Sequence, residues 1–461
     1  MDRSMLIKVL AYAAPQLGLT LLFVPVATVL AGIYAKHYGL ALTTIAAVML
    51  VARLFDAVTD PLIGYYSDGW RARTGSRKAF MMVGGLLMLP STFFLFVPPE
   101  GVSGVYFTFW YMAFYLAFTI FLIPYLAWAN EFTETSNDKT LAFSLISVAG
   151  QGGQALFYLI PLLPFFIGTE ITPEVLEATV VIGAVIFLVG LIIALRVVPN
   201  GPAPQQSSSI SQRRKASSKK RQFIHVIYGF WANKPFMLYL SAFMCLGIGI
   251  GMWAGLFFIY VDVYLQLGKD FANLSLWGMV CGMLAIPVWY RLSLCWGKRN
   301  AWLVGMAMLM LVFIFTSLLS PGPEGLYALF ALNMLMTFSI ASIGVISFPM
   351  LCDTIDYGRL NDGVERNALY FSLQALLTKL QMAIGGALGL AVVGWFGFDV
   401  NSPEQTASSI TGLRLSVSWA PTVFVLLAMI FIAKMPLTER RMAIIRRRLK
   451  ARDERQGVSS E

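Results

Sequence analysis

The sequence predicts an all-α polytopic membrane protein with twelve transmembrane helices in two six-helix halves. Of its 461 residues, 58% are hydrophobic and only 13% are charged, with a mean hydropathy of +0.71. Soluble domains carry about 25% charged residues. Apolar runs of about 20 residues, long enough to cross about 30 Å of hydrocarbon, recur along almost the whole chain. One long polar segment near the middle divides these runs six and six.

The apolar runs give the predicted spans. The first apolar stretch is longer than the core of a signal peptide and lacks a small-residue cleavage pattern, so we expect it to be retained as a span. Several runs exceed the minimum length, which is typical of tilted or broken helices. The predicted spans cover residues 6–36, 40–67, 78–97, 103–128, 140–167, 176–198, 234–265, 270–291, 300–320, 325–350, 367–397 and 412–435.

The two halves are weakly similar to each other. DPLIGYYSDGWRARTGSRKAFMMVGG (60–85) has a counterpart in IPVWYRLSLCWGKRNAWLVG (286–305), with a proline, an aromatic run and a basic turn before the next span. The polar segment PNGPAPQQSSSISQRRKASSKKR (199–221) has the composition of a disordered linker. Two parallel halves of six spans predict the major facilitator architecture, with a substrate site between the halves. The predicted domains are 1–198, the linker 199–233, 234–436 and a basic tail 437–461.

The charge distribution predicts the topology. The net charge of +10 is concentrated in RRKASSKKR (213–221) and RRMAIIRRRLKAR (440–452). Basic residues are retained on the cytoplasmic side, so we expect both termini inside a bacterial-type inner membrane and no nucleic-acid partner. The four cysteines lie in or beside apolar segments, without the paired spacing of a metal site or a disulfide framework.

The stretch RLFDAVTDP (53–61) places charges inside the second predicted span. Asp56 and Asp60 are four residues apart and therefore share a helix face, which Arg53 adjoins. A charge at this depth costs at least about 2.5–3.5 kcal/mol. Two close carboxylates cannot both stay ionised in a low dielectric unless a cation lies between them. We predict a site for a proton or a small cation, to which Thr59 adds a hydroxyl; a structural Arg53–Asp56 ion pair is the alternative.

Further charges are placed unusually. Lys379 lies well inside the span ALYFSLQALLTKLQMAIGGAL (368–388), and we expect it to face the cavity, where it would balance an anionic group or exchange partners with the acids. Asp353 and Asp356, in what reads as a cytoplasmic loop after the tenth span, are predicted to pair with bases. Lys36 and Asp262 end equivalent spans of the two halves on the outer side, and we predict that they form an outer gate.

Five segments together resemble one transporter family. RLFDAVTDPLIGYYSD, RTGSRK, IPYLAW (123–128), PMLCDTIDYG and YFSLQALLTK occur in order along most of the chain. They resemble the glycoside–pentoside–hexuronide:cation symporters, and the acid motif is shared with the animal sodium–lysophospholipid symporters. The resemblance implies that Asp56 and Asp60, with Thr59 nearby, form the cation site and that Lys379 is the interior lysine. It also implies alternating access driven by Na⁺ or H⁺.

The chain departs from this family where sugars are held. Thr20 stands where the family's first span carries an acid, and Leu145 or Ile146 where the fifth carries an arginine. The motif for cation coupling is therefore retained, while disaccharide recognition does not follow. Polar or aromatic residues remain as cavity candidates, each with helix packing as its alternative role. They are Gln16, Thr20, Tyr125, Trp128, Gln151, Gln154 and Gln374.

The predicted function is a cation-coupled secondary-active symporter that imports a glycoside, pentoside or hexuronide; the alternative solute is a lysophospholipid-like amphiphile. We expect a monomer with no cofactor beyond the coupling Na⁺ or H⁺. An enzyme is disfavoured because the sequence holds only His37 and His225, no nucleophile elbow and no metal spacing. A sensor or scramblase that needs no ion gradient would have the same fold, and the gradient dependence of uptake distinguishes it from a symporter. A channel is disfavoured because the sequence contains no filter-like repeat.

Overall fold

A computed structural model describes residues 3–133, 135–163, 172–201, 233–362, 366–398 and 406–455. Within these ranges the regular secondary structure is helical, and ten helices are long and apolar enough to cross a membrane. The chain divides into two compact units. Unit 1 contains Met1–Ser207 and Val364–Leu376, and unit 2 contains Ser208–Gly363 and Leu377–Arg452. Most of the predicted linker, with the basic cluster 213–221, lies outside the described residues.

Seven helices form the first part of unit 1. The predicted first span is two helices, and the break at Val29 follows Pro25, whose ring and missing N–H weaken the turn before it. The charged α3 and the polar α6 are absent from the ten apolar helices but complete six spans. The helices are α1 Arg3–Thr28, α2 Leu30–Tyr38, α3 Leu42–Thr74, α4 Lys78–Phe96, α5 Gly104–Phe132, α6 Ser136–Leu159 and α7 Pro173–Val197.

Small residues allow the helices of unit 1 to approach closely. Helix α1 packs against α6 and α7, and α5 packs against α3 and α4. A Cβ at Gly190 of α7 would lie 2.7 Å from the carbonyl carbon of Ala14 on α1. Lipid supplies no hydrophobic force between helices, so such backbone contacts contribute much of their packing energy. The α1 helix is thereby held between α6 and α7.

Unit 2 has the same number of spans. One-turn π-helices at Tyr260–Tyr264 and Leu415–Trp419 interrupt its first and last spans. Gly251 and Gly255 of α8 contact Gly385 and Gly386 of α12, again without intervening side chains. The helices are α8 Lys234–Ile259, α9 Phe271–Trp296, α10 Lys298–Thr316, α11 Leu326–Asp362, α12 Asn367–Trp395, α13 Ala407–Arg414, α14 Ala420–Ala433 and α15 Glu439–Arg455.

Helical structure continues beyond the spans that hydropathy predicts. Helix α3 continues to Thr74 rather than residue 67, and α11 continues to Asp362 rather than residue 350. Asp353 and Asp356 therefore lie on a helix, and the prediction of a loop there was wrong. The basic tail contains α15, whose Met442, Ile445 and Leu449 are buried. Hydropathy detects only the part of a helix that lies in hydrocarbon, whereas buried contacts continue these helices outside it.

Candidate cation and substrate site

Helix α3 reverses the usual pattern of an amphipathic helix. Asp56 and Asp60 are fully buried, with 0% of each residue exposed. The apolar Leu54 and Val58 on the same helix are 63% and 61% exposed. In a membrane protein the exposed apolar face meets lipid, so this helix directs its carboxylates into unit 1.

Helix α5 supplies two hydroxyl groups to these charges. Thr119 Oγ1 donates a hydrogen bond to Asp60 Oδ1 at 3.0 Å. One turn earlier, the hydroxyl of Tyr115 accepts a hydrogen bond from Arg53 Nη2 at 3.1 Å, and the guanidinium lies 4.8 Å from the ring centroid. Arg53 Nη1 is 3.5 Å from Asp56 Oδ2, a long ion pair. Arg53 thus offers a positive charge to Asp56, and Thr119 offers a neutral hydroxyl group to Asp60.

This donor set suits a proton or a small hard cation. Carboxylate and hydroxyl oxygens are the ligands such ions prefer, and a second buried negative charge becomes tolerable once an ion or proton binds. Thr59 donates to Phe55 O at 3.0 Å within its own helix, which leaves its oxygen lone pairs able to accept. Thr119 is not recognisable from the sequence, because a lone threonine among the apolar residues of α5 gives no periodic signal.

A second polar group lies on α1 and α6 of the same unit. Gln16 Nε2 donates to Thr20 Oγ1 at 3.0 Å. A Cβ at Gly150 of α6 would lie 3.5 Å from that Thr20 oxygen, so the pair faces α6. Gln151 and Gln154, on the same stretch of α6, are half-buried. The structure thus brings Thr20 close to the helix that carries both glutamines.

Tyr125 and Trp128 are used in packing. Tyr125 stacks on Tyr12 with centroids 4.6 Å apart, and each hydroxyl donates to the other residue's backbone carbonyl at 2.7 Å. Trp128 is 1% exposed and donates from Nε1 to Pro199 O at 3.0 Å. Both rings therefore serve helix packing in unit 1, the alternative role that the sequence leaves open, and a role in stacking on a solute stays a prediction.

The other candidates are spread over both units. Gln374 is buried in the part of α12 that belongs to unit 1, and Lys379 is half-buried in unit 2. Asp262 is exposed on a π-helical turn, and its carboxylate lies against Gly268. Lys36 lies on α2, but its side chain is outside the described part of the chain. The Lys36–Asp262 gate stays a prediction.

A buried ion-pair network lies at one end of unit 1. Glu131 accepts hydrogen bonds from Arg77 Nε at 2.6 Å and pairs with Arg71 Nε at 2.8 Å. Arg77 also pairs with Asp68, whose carboxylate accepts the backbone N–H groups of residues 368 and 369 at 3.0 Å. Burial lowers the pKa of Arg77, but Glu131 and Asp68 outweigh it and raise that pKa above its ordinary value. The network fixes the turn between α3 and α4.

Unit 2 has a similar network at the start of α10. Lys298 pairs with Asp353, which also accepts a hydrogen bond from Arg446 Nη2 at 2.8 Å. Arg446 Nε lies 3.6 Å from Asp356. Burial lowers the pKa of Arg446, while Asp353 and Asp356 raise it, with a net increase. Both acids thus help to dock α15; their role in transport stays a prediction.

Comparison with known proteins gives a family and several relatives. A family model described as "MFS/sugar transport protein" matches residues 11–439. The "Uncharacterized symporter YnaJ" of Bacillus subtilis is 23% identical over 98% of this chain and 96% of its own length. The "Glucuronide carrier protein homolog" of Escherichia coli is 26% identical over 88% and 87%. The human "Sodium-dependent lysophosphatidylcholine symporter 1" is 23% identical over 88% and 79%.

One solved structure supports the fold. The crystal structure of a bacterial homologue of the iron transporter ferroportin superimposes with a TM-score of 0.64, covering 94% of this chain and 99% of that one. The two are 13% identical, so the likeness concerns the fold alone. Together with the family model, it confirms the predicted all-α polytopic fold class.

Proposed function

The chain belongs to the MFS/sugar transport protein family, and we propose that it is a cation-coupled symporter that imports a solute by alternating access. Membership of this family makes the chain a membrane transporter, which confirms that it is not an enzyme. One observation carries the proposed coupling: Asp56 and Asp60 are fully buried on one face of α3, and Thr119 donates to Asp60. Na⁺ or H⁺ is the coupling ion.

The coupling follows from electrostatics. An empty site holds two buried carboxylates, and enclosing their charge in a low dielectric is costly. A bound Na⁺ or proton removes this cost, so the loaded carrier can change conformation while the empty or half-loaded carrier cannot do so easily. A cation gradient then drives uptake of the solute that moves with it.

For the solute, we propose a glycoside, pentoside or hexuronide. The similarity to a glucuronide carrier homologue supports this class. The alternative is a lysophospholipid-like amphiphile, supported by similarity at about the same level to lysophosphatidylcholine symporters and by Thr20 in place of the expected acid. A uronide and a lysophospholipid both carry an anionic group, and Lys379 offers the opposite charge to either.

We further propose that the protein lies in a bacterial-type inner membrane with both termini cytoplasmic. The bases of α15 and of the turn after α3 support this orientation, because cytoplasmic loops retain lysine and arginine. The protein is expected to work as a monomer on a small solute. Accessibility of single added cysteines to an impermeant thiol reagent, placed after residue 455 and near Gly322, tests the orientation.

A thermal-shift screen of the full-length protein tests the proposed function. The probes are 4-nitrophenyl β-D-glucuronide, melibiose, xylose and lysophosphatidylcholine, each with and without Na⁺ at pH 6 and pH 8. A ligand that binds only the folded state raises Tm by mass action. We expect one probe to raise Tm further when Na⁺ is added or the pH is lowered, which identifies the coupling ion.

The screen separates the two solute classes. Stabilisation by a sugar or uronide supports the leading class, whereas stabilisation by lysophosphatidylcholine alone supports the amphiphile. Cation-independent stabilisation by every binding probe would contradict coupling, because binding of the two partners at linked sites must be reciprocal.

A further inference from the structure

Unit 2 contains a cavity of about 480 Å³ that is separate from the acids of α3. It lies where the spans α9, α10 and α14 begin or end, and therefore at a membrane boundary. Its apolar walls include Met350, Met435 and Leu437, all buried. Trp296, the last residue of α9, stands at its edge and is 53% exposed. Tryptophan is enriched at headgroup level, where one side is apolar and the other polar.

The polar part of the cavity is basic. Three bases, Lys298, Arg299 and Arg440, line it together with two acids, Asp353 and Glu439, and Lys298 is already paired with Asp353. Arg299 uses one N–H group in a long hydrogen bond to Met435 O at 3.3 Å, and Arg440 is exposed. Both guanidinium groups therefore keep donors for a ligand.

Charges around the cavity do not cancel this positive field. The carboxylate of Glu439 lies beside Gly297 and acts on Arg446, which also pairs with the two acids of α11. Lys434 and Arg441, on either side of the junction between α14 and α15, are exposed and add two further positive charges. The opening of the cavity is thus cationic, and its inner walls are apolar.

We propose that this cavity binds the headgroup of an anionic phospholipid from the leaflet that borders it. Arg299 and Arg440 hold the phosphate, because guanidinium groups make short, charge-assisted hydrogen bonds to phosphate oxygens. The glycerol and the first acyl carbons contact the apolar wall, and Trp296 packs beside them. The lipid joins the start of α10 to the start of α15, and so stabilises the docking of the C-terminal helix on unit 2.

Native mass spectrometry of the full-length protein tests this site. The protein is titrated in detergent with dioleoyl phosphatidylglycerol or dioleoyl phosphatidylcholine, and the bound fraction gives Kd. We expect phosphatidylglycerol to bind more tightly. The double substitution Arg299→Gln and Arg440→Gln should weaken its binding about 25-fold, since each base near an anionic lipid contributes about fivefold. The control pair Arg447→Gln and Arg448→Gln lies at exposed positions of α15 outside the cavity and should change Kd less than twofold.

Several results would overturn the proposal. Equal binding of the two lipids would exclude a site for an anionic headgroup. Equal weakening by the control pair would indicate diffuse attraction to the basic helix, without a defined cavity. Displacement of the lipid by millimolar inorganic phosphate would indicate a site for a free anion. If the double variant does not fold, Arg440→Gln alone must still weaken binding about fivefold. None of these readouts requires transport, so the proposed function can fail while this site stands.

Discussion

The hydroxyl group of Thr119 offers the sharpest test of the proposed cation site. The substitution Thr119→Val removes this hydroxyl group and leaves the volume of the side chain almost unchanged. The hydroxyl donates to Asp60 Oδ1 at 3.0 Å, and the residue is 3% exposed, so water cannot easily replace it. A hydrogen bond to a charged group contributes about 1.5–3 kcal/mol. The hydroxyl oxygen also keeps lone pairs with which it can coordinate Na⁺ beside Asp60, and loss of a ligand worth about 2 kcal/mol corresponds to about thirtyfold weaker Na⁺ binding.

The assay is a Na⁺ titration of the purified full-length protein, followed by Tm at pH 8, where protons compete least. Wild type should gain stability with a half-effect concentration that Thr119→Val raises about thirtyfold. If the proton is the coupling ion, Na⁺ has no effect. The proton-dependent transition should then move to higher pH in the variant, because a carboxylate without its donor holds a proton more tightly.

Thr92→Val is the matched control. Thr92 is also fully buried in unit 1, but its hydroxyl donates to Met88 O at 2.8 Å within its own helix. The control should leave cation affinity unchanged, whatever it does to stability. The reasoning is refuted if Thr119→Val leaves both the Na⁺ and the proton dependence as in wild type, or if Thr92→Val alters them equally.

Three further predictions concern stability. Glu131→Gln leaves two buried arginines undercompensated and should lower stability by about 3 kcal/mol in denaturant unfolding; a change no larger than that of the exposed Glu174→Gln would contradict this. Gly190→Ala forces α7 away from α1 and should lower Tm, whereas Gly69→Ala, with nothing within 4 Å of its Cβ, should not; equal Tm values would refute the close packing. Arg446→Met removes the base between Asp353 and Asp356, which loosens the docking of α15, so amides 442–452 should exchange hydrogen faster. The control Arg447→Met, at the next and exposed arginine, should not have this effect.

The proposed cation site was partly predictable from the sequence because its two acids lie close together in the chain. Asp56 and Asp60 lie four residues apart on one helix, and the 3.6-residue period alone places them on one face. Thr119 could not be found in this way, because its contact with Asp60 depends on how α3 packs against α5. Tyr125 illustrates an ambiguity that the sequence leaves open, since an aromatic residue among possible cavity residues is equally suited to the interhelical contact that it makes with Tyr12.

The helix ends were predicted less well than the spans. Hydropathy gave the apolar part of α11 but not its continuation through Asp353, because that part is polar and is stabilised by Lys298 and Arg446. The basic tail was recognised by its charge, whereas the buried face of α15 depends on contacts with unit 2. Patterns within one helix were therefore predictable, and contacts between distant segments required the structure.

Coupled transport by Asp60 is tested most directly by uptake into proteoliposomes. The probes are radiolabelled 4-nitrophenyl β-D-glucuronide and lysophosphatidylcholine, measured with an inward Na⁺ gradient, an inward proton gradient, or neither. Wild type should accumulate one probe only under one of the gradients, and Asp60→Asn should retain exchange at equal concentrations but lose accumulation. Full gradient-driven accumulation by Asp60→Asn would contradict a cation site at this carboxylate.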